Sequence, residues 1–476
     1  MRRLEDGSVN LDTGRVGGDS KRVLVSIVKD GTVVGRSTLP QPLPEDAPLE
    51  ERVLEARNSI FAEELWHEMN REGRTLLSYG VQLEPTAITY TLDDDTQVLF
   101  RLITLGDDSE LGVGPPGSNL EDGNAETICT VLYLLLSYGH RQNGRKRPQQ
   151  PPPTSAQARP ASPPLSLIRP ILAYLHYESS VQRCIRFLSD LTGILQSAGI
   201  TTAAYVINEQ PVALRSPARA SESLLALLLN PLGFRAELTI TPEARLEILG
   251  TTSAAQYISG LFHVGLLPPV RIPSEQDGSS NPGDGDSPPD ESENPLSYMF
   301  PPHDTYPDLD TVFTYVRKAV PRVLADKYDG LVTEWTAPAA APDASSASPA
   351  PAQADQTAAS EWIISLDGKA VRDRDKGGRG VLFELSASGA RDENAAVDEG
   401  EGEGEGEGEG EGEDDGDPSR IGELRVTGDL FVDEKPARKY WTWTVEGARN
   451  GTPERLEDVV RGVLLCPRPK PTEQTP

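Results

Sequence analysis

Apolar and polar residues alternate through RVLVSIVKDGTVVGRST, residues 22–38, around a central Asp30-Gly31. A two-residue period on both sides of Asp-Gly predicts a β-hairpin, because that dipeptide tolerates the positive φ angles of a tight turn. The period becomes helical over about Leu49–Tyr79, where Leu54, Phe61, Leu65, Met69 and Leu76 fall on one stripe, with Gly80 as a stop. Ala87–Leu92 and Gln97–Leu105, separated by Asp93-Asp94-Asp95, predict a second hairpin. A second helix over about Asn124–Gly139 carries Ile128, Leu132, Leu135 and Leu136 and runs into the basic tail RQNGRKR, whose cations suit the negative end of a helix dipole.

A third helical pattern spans about Leu165–Ser197, with Leu172, Leu175, Ile185, Leu188, Leu191 and Leu195 apolar; Pro170 belongs in its first turns or kinks it. Strand signals follow near Ala203–Ile207, Arg235–Ile240 and Arg245–Leu249, with a short helix, Ser221–Leu229, between the first two. Leu309–Tyr328 is helical in pattern despite Pro321. The C-terminal block has strand signals at Trp362–Leu366, Gly380–Leu385, Leu424–Val426 and Tyr440–Val445, then a short helix near Arg455–Leu465. Helices come first and strands accumulate later, so the fold class is α+β: long amphipathic helices with β-hairpins, then a β-rich C-terminal part, divided by several disordered linkers.

The polar stretches set the organisation. The expected division is a flexible N-terminus (1–18), a hairpin-helix-hairpin-helix region (19–147), a Pro-rich linker (148–164), a helical and strand region (165–272), a disordered linker (273–305), a helix (306–336), a linker (337–359), a β-rich region (360–466) and a tail (467–476). The β-rich region holds an acidic insertion, 387–419, with a Glu-Gly repeat at 399–413. Like charges and glycine entropy oppose packing of that repeat.

Composition changes the picture in one respect. The 476-residue chain has a net charge of -29, and the repeat supplies only part of it: Asp398–Asp417 holds 12 acids and no base. Such a chain is repelled by phosphate backbones, so direct nucleic-acid binding is not expected, and basic protein partners or solubility account better for the charge. Three scattered cysteines, Cys129, Cys184 and Cys466, suggest no disulfide framework; the first two lie in apolar helical patterns and read as buried thiols in a reducing compartment. The start, MRRLEDGSVN, has no apolar core of a secretory signal, and the most apolar runs, Val131–Leu136 and Leu224–Leu229, are far too short to span a membrane.

Each candidate for chemistry lacks a partner. Asp12-Thr13-Gly14 matches the aspartic-protease triplet, but no second copy supplies the other carboxylate unless a homodimer does. A dimeric aspartic hydrolase centred on Asp12 is therefore the alternative reading. His67-Glu68 begins like HExxH, yet the fifth residue is Arg71; Glu64 and His67 sit one turn apart, as on a di-iron helix, without a second such pair. His140, His176, His263 and His303 stand apart from any nucleophile motif. No catalytic residue, cofactor or metal follows. Arg145, Lys146 and Arg147, with Arg141 nearby, form the one compact basic cluster: a nuclear localisation signal and a solvated helix end fit it equally. Trp441 and Trp443 share one face of a strand, where core packing comes first and a partner surface second. With Phe61, Leu65, Met69 and Leu76 they are the partner-contact candidates.

Three segments resemble the fungal form of Mediator of RNA polymerase II transcription subunit 17. They are IFAEELWHEMNREGRTLLSYGVQLEPTAITYTL (60–92), LYLLLSYGHRQNGRKR (132–147) and PPLSLIRPILAYLHYESSVQRCIRFLSDLTGILQSAGI (163–200), in that order and with the Pro-rich spacer between the last two. The resemblance implies a non-enzymatic scaffold subunit in the nucleus. Its expected partners are other Mediator subunits, mainly of the head module, with RNA polymerase II machinery reached indirectly and with neither nucleic acid nor membrane bound. Family members usually carry a long helical N-terminal region. This chain begins near the 22–38 hairpin, so it is expected to correspond to the C-terminal portion.

Overall fold

The computed structural model describes residues 2–3, 9–10, 20–44, 47–92, 95–106, 119–146, 165–210, 220–253, 259–270, 293–336, 362–373, 380–387, 420–432, 435–449 and 455–465. They divide into two compact units: residues 1–178, 211–232 and 252–259 form the first, and residues 179–210, 233–251 and 260–476 the second. Helices combine with antiparallel sheets, an α+β fold.

In the first unit a two-residue pair, β1 (Arg2–Arg3) and β2 (Val9–Asn10), precedes the hairpin of β3 (Lys21–Lys29) and β4 (Thr32–Arg36). Asp30 and Gly31 both take positive φ, 51° and 71°, which closes the two-residue turn that the sequence demands. Helix α1 (Leu49–Gly73) and a 3-10 turn (Leu77–Tyr79) lead to β5 (Val81–Leu83), β6 (Ala87–Thr91) and β7 (Thr96–Thr104). The five strands form one antiparallel sheet in the order β4-β3-β7-β6-β5. Register puts Val25 opposite Phe100, Ile27 opposite Val98, and Tyr90 opposite Val98. These side chains join one core with Leu65 and Met69 of α1, with Leu132 and Leu136 of α2 (Asp122–Lys146), and with Ile168, Ile171 and Leu172 of α3 (Ile168–Ser197). Leu228 of α4 (Ala220–Leu229) completes it.

Edge strand β4 is sealed by the start of α2. Glu121 donates its backbone N–H to the Val34 carbonyl at 3.2 Å, and the Asp122 carboxylate accepts the Arg36 N–H at 2.8 Å. The Glu126 carboxylate accepts the N–H of Thr38 at 2.7 Å. Acids in the first turn of α2 thus serve its dipole and the strand edge together.

In the second unit the sheet β11-β10-β9-β8 comprises β8 (Ala204–Gln210), β9 (Leu232–Thr239), β10 (Arg245–Ser253) and β11 (Ser259–Leu267). Strand β8 runs antiparallel to β9, with Ala204 opposite Thr239. After a single turn, α5 (Leu296–Met299), comes the long helix α6 (Leu309–Thr336). A six-stranded antiparallel meander follows: β12 (Trp362–Ile364), β13 (Ala370–Asp373), β14 (Gly380–Ala387), β15 (Ile421–Val432), β16 (Lys435–Thr444) and β17 (Gly447–Arg449). Helix α6 packs on β12, β13 and β14, and the terminal helix α7 (Leu456–Leu464) on β14 and β15. Val312, Val316, Val320 and Leu324, one turn apart, are the buried ridge of α6. Phe313 stacks on Phe187 of α3 with centroids 4.0 Å apart, and Tyr328 on Phe383 at 5.8 Å. Helix α6 continues past Pro321; a buried ridge on both sides of it outweighs the missing N–H.

Several boundaries differ from the sequence expectation. The first helix stops at Gly73, six residues early, because the chain turns there: the Thr75 N–H and hydroxyl both donate to the Glu72 carbonyl, at 2.8 and 2.7 Å. Gly80 takes φ 79° and ends the 3-10 turn instead of the α-helix. Leu54, placed on the apolar stripe, is 53% exposed; the stripe that is buried runs through Ala62, Leu65 and Met69. Helix α2 continues to Lys146, so the basic tail is helical as far as that residue. Strands β5, β11, β13 and β17 gave no alternating signal strong enough to be expected.

Candidate functional site

Four of the six partner-contact candidates are core residues. Leu65, Met69 and Leu76 are fully buried within the first unit, and Trp443 within the second. The apolar stripe of α1 is thus covered by its own sheet and helices, which leaves those side chains no outward surface. Phe61 is half-buried and stacks on Tyr133 of α2 with centroids 5.7 Å apart. Trp441 is also half-buried, opposite Val426, with the Lys439 ammonium 5.0 Å above its ring. Phe61 and Trp441 are therefore the candidates that still reach the surface.

Of the basic cluster, Arg145 is exposed in the last turn of α2 and Lys146 ends the helix; Arg147 lies outside the described residues. Arg141, one turn before Arg145, is exposed too. Asp12, on which the hydrolase alternative rests, lies outside the described residues, as does Cys466.

His67 is exposed on α1, and the other ionisable candidates are engaged in structural contacts. Glu64 pairs with His140 at 3.3 Å, and Glu68 with Arg71 at 3.2 Å. The His176 ring meets the buried Tyr90 hydroxyl through Nε2. His263 Nδ1 lies 2.6 Å from the Asp304 carbonyl, and the His303 ring packs on Tyr306. Among the described residues no three His, Cys, Asp or Glu side chains converge as a metal site would require. Burial pushes the Cys129 thiol up to about 11 and the Cys184 thiol up to about 12, the opposite of what a nucleophilic cysteine needs. No described helix is long and apolar enough to cross a membrane.

One residue that matters was not singled out from the sequence. Glu72, in the last turn of α1, is buried, and its carboxyl group accepts the N–H groups of Leu167 and Ile168 at 2.7 and 2.6 Å and of Arg169 at 3.3 Å. These are amides that the start of α3 leaves without helical acceptors; the next residue, Pro170, has no N–H to satisfy. Glu68, one turn back, accepts the Leu165 N–H at 3.5 Å. Burial pushes the Glu72 carboxyl above its ordinary range, while the three amides and the Arg169 guanidinium pull it down. The available signal was a carboxylate lying between Met69 and Leu76 on an otherwise apolar face.

Residues 1–194 match the family model described as Subunit 17 of Mediator complex. Over those residues the chain is similar to Mediator subunit 17. Over 201 residues it is 37% identical to Mediator of RNA polymerase II transcription subunit 17 of Emericella nidulans, covering 42% of this chain and 31% of that protein. The subunit 17 of Aspergillus fumigatus is 33% identical over 261 residues, 53% of this chain and 40% of the relative. The chain thus spans about a third to two fifths of the Mediator subunit 17 relatives that it matches. A slight likeness in shape, TM-score 0.41 at 16% identity over 56% of this chain and 58% of the other, links it to a chain of the Schizosaccharomyces pombe Mediator head module. At that score the likeness carries no argument.

Proposed function

We propose that the chain is a non-enzymatic scaffold subunit of the Mediator coactivator, acting in the nucleus within its head module and linking gene-specific regulators to RNA polymerase II transcription through protein contacts. The observation that carries the reading is the match of residues 1–194 to the subunit 17 family, with fungal relatives of that name at 33% and 37% identity. Its partners on this reading are other Mediator subunits, mainly of the head module. Neither nucleic acid nor membrane is bound directly. The many structural engagements of its ionisable groups are in keeping with a scaffold. Tagged full-length chain, recovered at mild salt, is expected to bring down Mediator subunits; recovery as a lone monomer would overturn the proposal.

Arg145, Lys146 and Arg147 are proposed as the nuclear import signal. Replacing all three with alanine is expected to shift a fluorescent fusion to the cytoplasm. Undiminished nuclear accumulation would return the cluster to the role of a solvated helix end.

A further inference from the structure

Helix α1 carries a second apolar stripe, on the side away from its core. Leu49, Val53, Ala56 and Ile60 recur at spacings of four, three and four residues, the rhythm of a helix–helix seam. At 100° per residue they lie opposite Ala62, Leu65 and Met69. Leu49 is 38% and Ile60 54% exposed, with Val53 and Ala56 half-buried between them.

Charge says what the stripe fits. Arg52 and Arg57 are exposed on its two flanks, and neither has an ion pair among the described residues. The acids around them are accounted for: Glu55 pairs with Arg22, Glu63 with Lys21 and Glu64 with His140. Glu50 and Glu51 lie in the first turn, where the helix dipole favours negative charge. In a chain of net charge -29, two guanidinium groups without an ion pair among the described residues bracket a seam that is only partly covered.

We propose that this stripe seats one amphipathic helix of another polypeptide, whose apolar seam is flanked by acidic residues opposite Arg52 and Arg57. The inference rests on the scaffold reading above and names the kind of partner that one face takes. A second copy in parallel register fits less well, because it sets Arg52 against Arg57 across the seam.

The test uses the full chain with a benzophenone side chain at position 60, recovered with its associated subunits, irradiated and analysed by mass spectrometry. The expected product is a cross-link to a different polypeptide, within a segment of four-three apolar spacing with acidic flanks. Arg52→Glu with Arg57→Glu should lower its yield about tenfold, with an unchanged unfolding midpoint, since both side chains are exposed. A cross-link to a second copy, to this chain itself or to a segment without acidic flanks would overturn the proposal. So would an undiminished yield in the double variant, or co-purifying Mediator subunits with no cross-link. If no subunit co-purifies, the scaffold reading fails and this inference falls with it.

Discussion

The Glu72 carboxyl group accepts the Ile168 N–H at 2.6 Å, so the last turn of one helix supplies the cap of another 96 residues along the chain. Most helices are capped by a neighbour in sequence. Here the segment that re-enters after the Pro-rich stretch has Ser166 and Leu167 ahead of the helix, and the acceptor comes from α1. The first turn of α3 is thereby tied to the docking of α1 in the first unit.

Replacing Glu72 by alanine strips two buried amides and one partly buried amide of their acceptor and removes the carboxylate 3.8 Å from the Arg169 guanidinium. The expected loss of stability is about 2–4 kcal/mol. Amide exchange should localise it: the Leu167 and Ile168 amides lose protection first, while β3 and β7 keep theirs. Unchanged protection at residues 167–169 would show that the cap does not hold the helix start.

Two leucines of α1 separate burial from periodicity. Leu65→Ala opens a cavity in the core beside Met69 and is expected to cost about 2–5 kcal/mol. Leu54→Ala, at a side chain 53% exposed, should change stability by less than about 0.5 kcal/mol. Urea unfolding of the two variants checks the contrast, and equal losses would contradict the placement of Leu54.

The thiols give a pH signature. With folded values raised to about 11 for Cys129 and about 12 for Cys184, each folded thiol keeps a proton that the unfolded chain releases near its ordinary value of 9.0. Their contribution is complete below that value and is lost as pH rises through the folded ones, so stability falls above about pH 9. At pH 8 the folded chain should react slowly with iodoacetamide at these two positions and quickly once unfolded in urea. Peptide-resolved alkylation reads this out; rapid labelling of Cys184 in the folded chain would contradict its burial.

Trp443 and Tyr440 make the same distinction in the six-stranded sheet. Trp443→Ala is expected to cost about 3–5 kcal/mol, because the indole is fully buried opposite Leu424. Tyr440, 56% exposed beneath the Arg425 guanidinium, should tolerate alanine with a loss below about 1 kcal/mol. Thermal unfolding that ranks them in the opposite order would contradict the face assignment.

Local patterns carried much of the fold. The Asp30-Gly31 hairpin, the strands either side of residues 93–95 and the long helix after Pro148–Pro164 all follow from periodicity and turn chemistry in a few adjacent residues. What was hidden depends on residues distant in sequence. The early end of α1 is tied to Glu72 and its work for α3, and the exposure of Leu54 depends on which face of the helix the rest of the unit covers. Short strands such as β13 and β17 offer three or four residues and are defined by their partners alone. For the candidate contacts, periodicity found apolar side chains but not what covers them, so Leu65, Met69, Leu76 and Trp443 turned out to lie in cores. The family resemblance rested on segments 60–92, 132–147 and 163–200; the family match runs from residue 1 to 194 and takes in nearly all of them.

The most direct test of the scaffold account is quantitative mass spectrometry of what co-purifies with the full-length chain from nuclear extract at mild salt. The account predicts Mediator subunits in near-stoichiometric amounts, retained when exposed residues remote from α1 are changed. Recovery of the folded chain alone, with Mediator subunits no more abundant than in an untagged control, would contradict it.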